Sequence, residues 1–174
     1  MKKIIALILA TMLVLTAVSA MATDSKGNPD INGGTTTEEK IQLVSIKATE
    51  KLQAIIDKIT EAFKNDGDAL KGLPEEVVSK IPADMKTINE MSCWQLVGDV
   101  SGLNGLVLIF KFETPYPENE EVTLLIGIDP ADADVEWIVK TGKANADGDV
   151  VVSVTAEELS KIANNPFVAI PVSK

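Results

Sequence analysis

The densest run of chemistry-bearing side chains is Asp129-Pro130-Ala131-Asp132-Ala133-Asp134-Val135-Glu136, with carboxylates at Asp129, Asp132, Asp134 and Glu136. Closely spaced hard oxygens on a loop suit Ca²⁺, which takes about six to eight of them and tolerates irregular geometry. The run is not an EF-hand loop. Counted from Asp132, Trp137 stands where the turn needs glycine, and Lys143 stands where the last ligand should be a bidentate Glu. Two readings follow: a calcium site made of Asp129, Asp132, Asp134 and Glu136, or a solvated loop of an acidic protein. Composition favours the second. The clusters Asn145/Asp147/Asp149 and Asn65/Asp66/Asp68 fail the same template, and turn chemistry accounts for both.

Other chemistries are limited by missing residue types. The chain of 174 residues has no His, and all 16 of its basic residues are Lys. This removes His as general base or metal ligand, the Ser-His-Asp and Cys-His nucleophile pairs, and the bidentate guanidinium clamp on phosphate. Cys93, the only cysteine, has no neighbouring imidazole to make it a thiolate, and it cannot form an intramolecular disulfide. Paired carboxylates can hydrolyse glycosides without His. The chain is rich in Asp and Glu, but its two Trp, one Tyr and four Phe supply little aromatic platform for a sugar cleft. The expectation is therefore a protein that is not an enzyme, with a small carboxylate-based extracellular hydrolase as the alternative. A formal net charge of -10 also disfavours nucleic acid, whose binding depends on cations placed against phosphates.

The aromatic residues allow two roles each. Trp94 and Trp137 fall in phase with Val and Leu neighbours and read as core rather than as ligand-stacking groups. Tyr116, between Pro115 and Pro117, is the candidate for an exposed contact, with ordinary loop packing as the other reading. Candidate binding residues are Tyr116, Asn119, Asp132 and Asp134. They lie on the loops Pro115 to Glu121 and Asp129 to Asp134, and a third loop, Asn164 to Pro166, adds a further corner.

The elements that position these residues read as follows. Residues 1–22 have Lys2 and Lys3, an apolar run from Ile4 to Val18 and small residues after it, the pattern of a secretory signal peptide. Cleavage after Ala20 or Ala22 fits, and losing the two lysines takes the net charge from -10 to -12. The run is short for a membrane span, no Cys stands just after the cleavage point to carry a lipid, and Pro171 to Lys174 carries no sorting motif. The expected product is secreted or held at the cell surface without a stable membrane anchor, and without a cofactor unless calcium binds.

Residues 23–36 are Gly, Asn, Asp and Thr with almost nothing apolar, which predicts a flexible leader. Thr36 and Glu39 have capping-box spacing, and Ile41, Val44, Ala48, Leu52, Ile55, Ile56, Ile59 and Phe63 follow at steps of three and four. The pattern predicts an amphipathic helix over 37–64. A short helix should follow from Pro74 and end before Pro82, completing a helical segment over 37–90.

From Met91 the period becomes two. Six strands are predicted, around 94–100, 106–112, 122–128, 135–139, 150–154 and 167–172, with a helical turn at 156–162 capped by Thr155 and Glu158. The fold class is α+β, with the helices packed on an antiparallel β-sandwich of six to seven strands over 91–174. Some strands are apolar on both faces, so a helix must cover one sheet, or else the helix is an oligomerisation face.

The segment Asp147-Gly148-Asp149-Val150-Val151-Val152-Ser153-Val154, followed by Pro166-Phe167-Val168-Ala169-Ile170, resembles the terminal hairpin of immunoglobulin-like modules in secreted and surface proteins of Gram-positive bacteria. The resemblance covers about 25 residues, and the Thr155 to Asn165 connection is longer than is usual in such modules. It implies an immunoglobulin-like extracellular binding or spacer module and transfers no catalytic residue. The functional expectation is a bacterial module that recognises an extracellular protein, a glycan or cell-wall material through loops.

Overall fold

A computed structural model describes residues 34–38 and 40–174. The expected signal peptide, most of the expected leader and Glu39 of the Thr36/Glu39 pair lie outside the described residues. The order of elements is β1 (Gly34–Thr36), β2 (Gln42–Ser45), α1 (Glu50–Asp66), a 3₁₀ turn (Ala69–Gly72), α2 (Glu75–Val78), β3 (Thr87–Ile88), β4 (Ser92–Val97), β5 (Gly105–Phe110), β6 (Glu121–Ile128), β7 (Glu136–Ala144), β8 (Val150–Thr155), α3 (Ala156–Ile162) and β9 (Pro166–Ser173).

All nine strands belong to one sheet, ordered β1-β5-β8-β7-β6-β9-β4-β2 with β3 beside β9, and every named pair is antiparallel. The first and last strands of that order, β1 and β2, are joined by residues 37–41 and touch each other, so the sheet curls into a nearly closed barrel. The Thr36 hydroxyl ties the closing turn by donating to the Ile41 carbonyl at 2.8 Å. The α+β class holds, and opposed walls of the curled sheet pack as the layers of a sandwich would. The ladder itself is a single sheet.

Two apolar layers result. Inward-facing residues at alternate positions, among them Trp94, Leu108, Phe110, Val122, Leu124, Ile126, Val152 and Phe167, fill the barrel. Phe110 is their centre: Trp94 and Phe167 meet its ring edge-on at 5.8 and 6.4 Å, and Phe112 stacks at 6.1 Å. α3 closes part of this core with Leu159 and Ile162. Its capping box is complete, the Thr155 hydroxyl accepting from Glu158 N while the Glu158 carboxylate accepts from Thr155 N. The β7–β8 ladder is only two residue pairs long, and α3 lies beside that short seam with Lys140–Glu158 and Lys161–Glu136 ion pairs at 3.0 and 3.3 Å.

The outward faces of β4, β6 and β9 carry Cys93, Leu125, Val168, Ile170 and Val172, and Leu52 and Ile59 of α1, Val77 of α2 and Leu73 of the turn before α2 cover them. Burying one Leu or Ile side chain this way contributes about 1.5–3 kcal/mol. Leu52 and Ile59 are fully buried in this layer, while Ile55, Ile56 and Phe63 of the same stripe are half-buried.

Three expectations need correction. The helix predicted over 37–64 begins only at Glu50, capped by Thr49, and residues 42–45 are a strand paired with β4. Ile41 and Leu43 are both buried in the barrel core, an alternation of two that the three-and-four spacing of Ile41, Val44 and Ala48 obscures. Second, residues 34–36 of the predicted leader pair with Phe110 to Leu108 of β5. Third, the segment read as helical over 37–90 also contributes strands, because β2 and β3 join the sheet. In addition, β8 and β9, which carry the immunoglobulin-like resemblance, are not neighbours: β7 and β6 stand between them. Among the described residues no helix is long and apolar enough to cross a membrane.

Candidate functional site

The predicted site residues do not converge. Tyr116 is only 7 % exposed, with its ring edge-on to Phe112 at 6.2 Å, and this corrects its reading as an exposed contact. The physical reason is local: Tyr116 N donates to Gly148 O, and the side chain turns down into the open end of the aromatic core. Burial pushes the phenol up to about 12, a shift that the Asn89 side chain partly offsets. Asn119 is exposed, but its left-handed backbone (φ 66°) and its N–H bond to Ala144 O mark a turn position.

The acidic run is likewise dispersed. Asp129 is 8 % exposed: the Thr49 hydroxyl donates to Oδ2 at 2.6 Å, and Lys51 Nζ forms an ion pair with Oδ1 at 3.0 Å. Burial pushes the carboxyl up, but Thr49 and Lys51 outweigh it and hold Asp129 below its ordinary value. Asp132 and Asp134 are exposed, and Glu136 pairs with Lys161. Among the described residues no three acidic or thiol side chains gather around one point that could hold a metal ion. The set Asp129, Asp132, Asp134 and Glu136 therefore does not form the calcium cage that its spacing suggested. The loop's oxygens meet a different cation: Lys51 Nζ donates to Pro130 O at 2.8 Å and to Ala133 O at 2.9 Å, besides pairing with Asp129.

Beside this loop lies a cleft of about 500 Å³, within the range of small-ligand sites. One wall is a single stripe of α1, with Lys51, Ala54, Ile55 and Lys58 at steps of three and four. The second is the turn Gly72-Leu73-Pro74, and the third is Asp134, Val135 and Trp137 at the start of β7. The walls are brought close by two glycines. At Gly72 a Cβ would fall 2.6 Å from Ile59 N, so only glycine lets the 3₁₀ turn rest on the backbone of α1. At Gly127, the cross-strand partner of Trp137, a Cβ would stand 3.0 Å from the indole Cη2 and Cζ3. The indole thus lies over bare strand backbone and is left half-buried, at the edge of the outer apolar layer.

The cleft has an apolar floor of Ile55, Leu73, Val135 and Trp137 with charged groups on its rim. Lys51 is occupied by the loop, whereas the side chain of exposed Lys58 has no ion pair or hydrogen bond among the described residues. Asp134 is the only carboxylate among the lining residues. Such a surface can stack a flat apolar face on the indole, donate from Lys58 to hydroxyl or anionic groups, and accept from hydroxyls at Asp134.

Of the sequence candidates only Asp134 lines the cleft. The sequence reading takes Trp137 as core, and the residue that distinguishes it is Gly127, a glycine within the apolar stretch 124–128 of β6. Compared with known protein families, with curated proteins and with solved structures, the chain matches none.

Proposed function

We propose that this chain is an exported, non-enzymatic bacterial recognition module that holds an extracellular glycan, of wall or host origin, in the cleft between α1 and β7. The observation that carries this reading is the half-buried Trp137 lying over Gly127 between an unpaired Lys58 and Asp134. Indole faces stack on the C–H faces of sugar rings, and charged rim groups take the hydroxyls, while affinity comes from a scaffold that need not reorganise. Export rests on the charged start and apolar run of residues 1–22. The lack of catalysis rests on the absence of His and on the single carboxylate in the cleft. In this reading the β core serves as immunoglobulin-like modules serve, as a rigid body presenting a recognition surface, with the Asp129 to Asp134 loop forming one wall.

The test is co-sedimentation of residues 23–174 with purified wall polymer, intact envelopes and immobilised host glycoprotein, in wild type and in Trp137→Ala. Retention by one glycan material that Trp137→Ala abolishes, with no new reducing ends released, supports the reading. Retention unaffected by the substitution, or none on any material, contradicts it.

A further inference from the structure

We propose that Lys51 is the resident cation of the 129–134 loop and the positioning residue that fixes this wall of the cleft against α1. An ammonium donates and accepts nothing, and three oxygens surround this one: it donates to Pro130 O at 2.8 Å and Ala133 O at 2.9 Å, and Asp129 Oδ1 lies at ion-pair distance, 3.0 Å. One carboxylate and two main-chain carbonyls are the donor types that a loop offers to a hard metal ion. Here the charge is supplied covalently from the first turn of α1.

The arrangement differs from an ordinary surface ion pair, in which both partners are solvated and little is gained. The Asp129 side chain is only 10 % exposed, and its other oxygen accepts from Thr49. Thr49 is in turn the N-cap of α1, its hydroxyl accepting from Leu52 N at 3.3 Å. One carboxylate therefore holds both the cap of the helix and the cation two residues beyond it. The loop backbone leads directly into Asp134, Val135 and Trp137, so the width of the cleft mouth follows from where Lys51 holds Pro130 and Ala133. The inference stands whether or not the cleft takes a glycan.

The experiment is chemical rescue of Lys51→Ala, because n-propylammonium has the carbons and nitrogen that the substitution removes. The expected result is a fall in Tm of roughly 3–6 °C. Millimolar n-propylammonium should restore it, without raising the Tm of wild type or of Lys51→Ala/Asp129→Asn. Tetramethylammonium, which has no N–H to donate, should have no effect. An unchanged Tm for Lys51→Ala, failure of n-propylammonium to restore it, or equal rescue by tetramethylammonium overturns the proposal. So does a wild-type Tm that rises with Ca²⁺, since the loop would then accept a metal with Lys51 in place. If Lys51→Ala does not fold, amide exchange is read in Lys51→Met. Residues 132–134 should then exchange roughly tenfold faster or more, with α3 unchanged, and equal rates overturn the proposal.

Discussion

Trp137 sits directly across the β6–β7 ladder from Gly127, and a single carbon added to Gly127 would stand 3.0 Å from two atoms of the indole and 3.1 Å from Val168 Cγ1. A strand interior ordinarily disfavours glycine, so the missing side chain here has a steric purpose. The space it leaves sets the height at which the indole stands in the cleft.

Gly127→Ala is therefore expected to act through Trp137. Overpacking of a fitted site costs about 1–3 kcal/mol. The substitution should lower the urea midpoint with an unchanged m-value and shift the emission of Trp137. If stability and emission both match wild type, the indole does not rest on that backbone.

Glu90 supplies the pH dependence. It is buried at 5 % exposure, where its Oε2 accepts from Glu113 N at 2.8 Å and Thr114 N at 3.4 Å and its Oε1 accepts from the Ser92 hydroxyl at 3.3 Å. Burial pushes the carboxyl up, and the Glu113 carboxylate adds to this, while the Thr114 and Glu113 amides and Ser92 offset part of the rise. A raised acid binds its proton more tightly in the folded chain than in the unfolded one, so stability falls as pH rises from the ordinary Glu value through the folded one. Glu90→Gln keeps an acceptor for the two amides and can donate to Ser92, yet does not ionise. Urea melts from about pH 4 to 8 should show the variant gaining on wild type as pH rises, with the difference smallest at the acid end. A variant less stable by the same amount at every pH contradicts this account.

Cys93 tests the cover that α1 provides. The thiol is buried on the outer face of β4, and burial pushes it up to about 12. Reagents that need thiolate should leave it untouched at pH 8 in the folded protein and label it fully in denaturant. Leu52→Ala, which opens the layer above it and should cost about 2–5 kcal/mol, is expected to raise the labelling rate. Fast labelling of the wild-type protein shows that the helical layer is not closed.

Much of the β region is legible from residue pattern alone. Val122, Leu124, Ile126 and Ile128 alternate because they face the barrel core, and Thr155 with Glu158 forms the capping box that their spacing suggests. The first third is less legible, since a short buried strand and a helix onset share one apolar pattern. Ile41 and Leu43 fit a period of two, Ile41, Val44 and Ala48 fit steps of three and four, and pairing with β4 decides between them. Tyr116 was misplaced because its flanking prolines suggest an exposed loop, whereas Phe112 and Gly148 draw it inward. Trp137 is in phase with core residues, and only its opposition to Gly127, a fact of register, leaves it at a cleft. The Lys51 contacts span about 80 positions in sequence and leave no local trace.

The most direct test of the central claim uses the fluorescence of Trp137 alone. Trp94→Phe removes the other tryptophan, whose Nε1 is buried without a hydrogen-bond partner among the described residues, so its loss leaves no polar group stranded. In that variant the account predicts a blue-shifted, saturable change in emission on titration with soluble fragments of the glycan that retains the protein, absent when Lys58 and Asp134 are replaced by alanine. Emission that stays constant while the glycan still retains the protein places recognition elsewhere and contradicts the account.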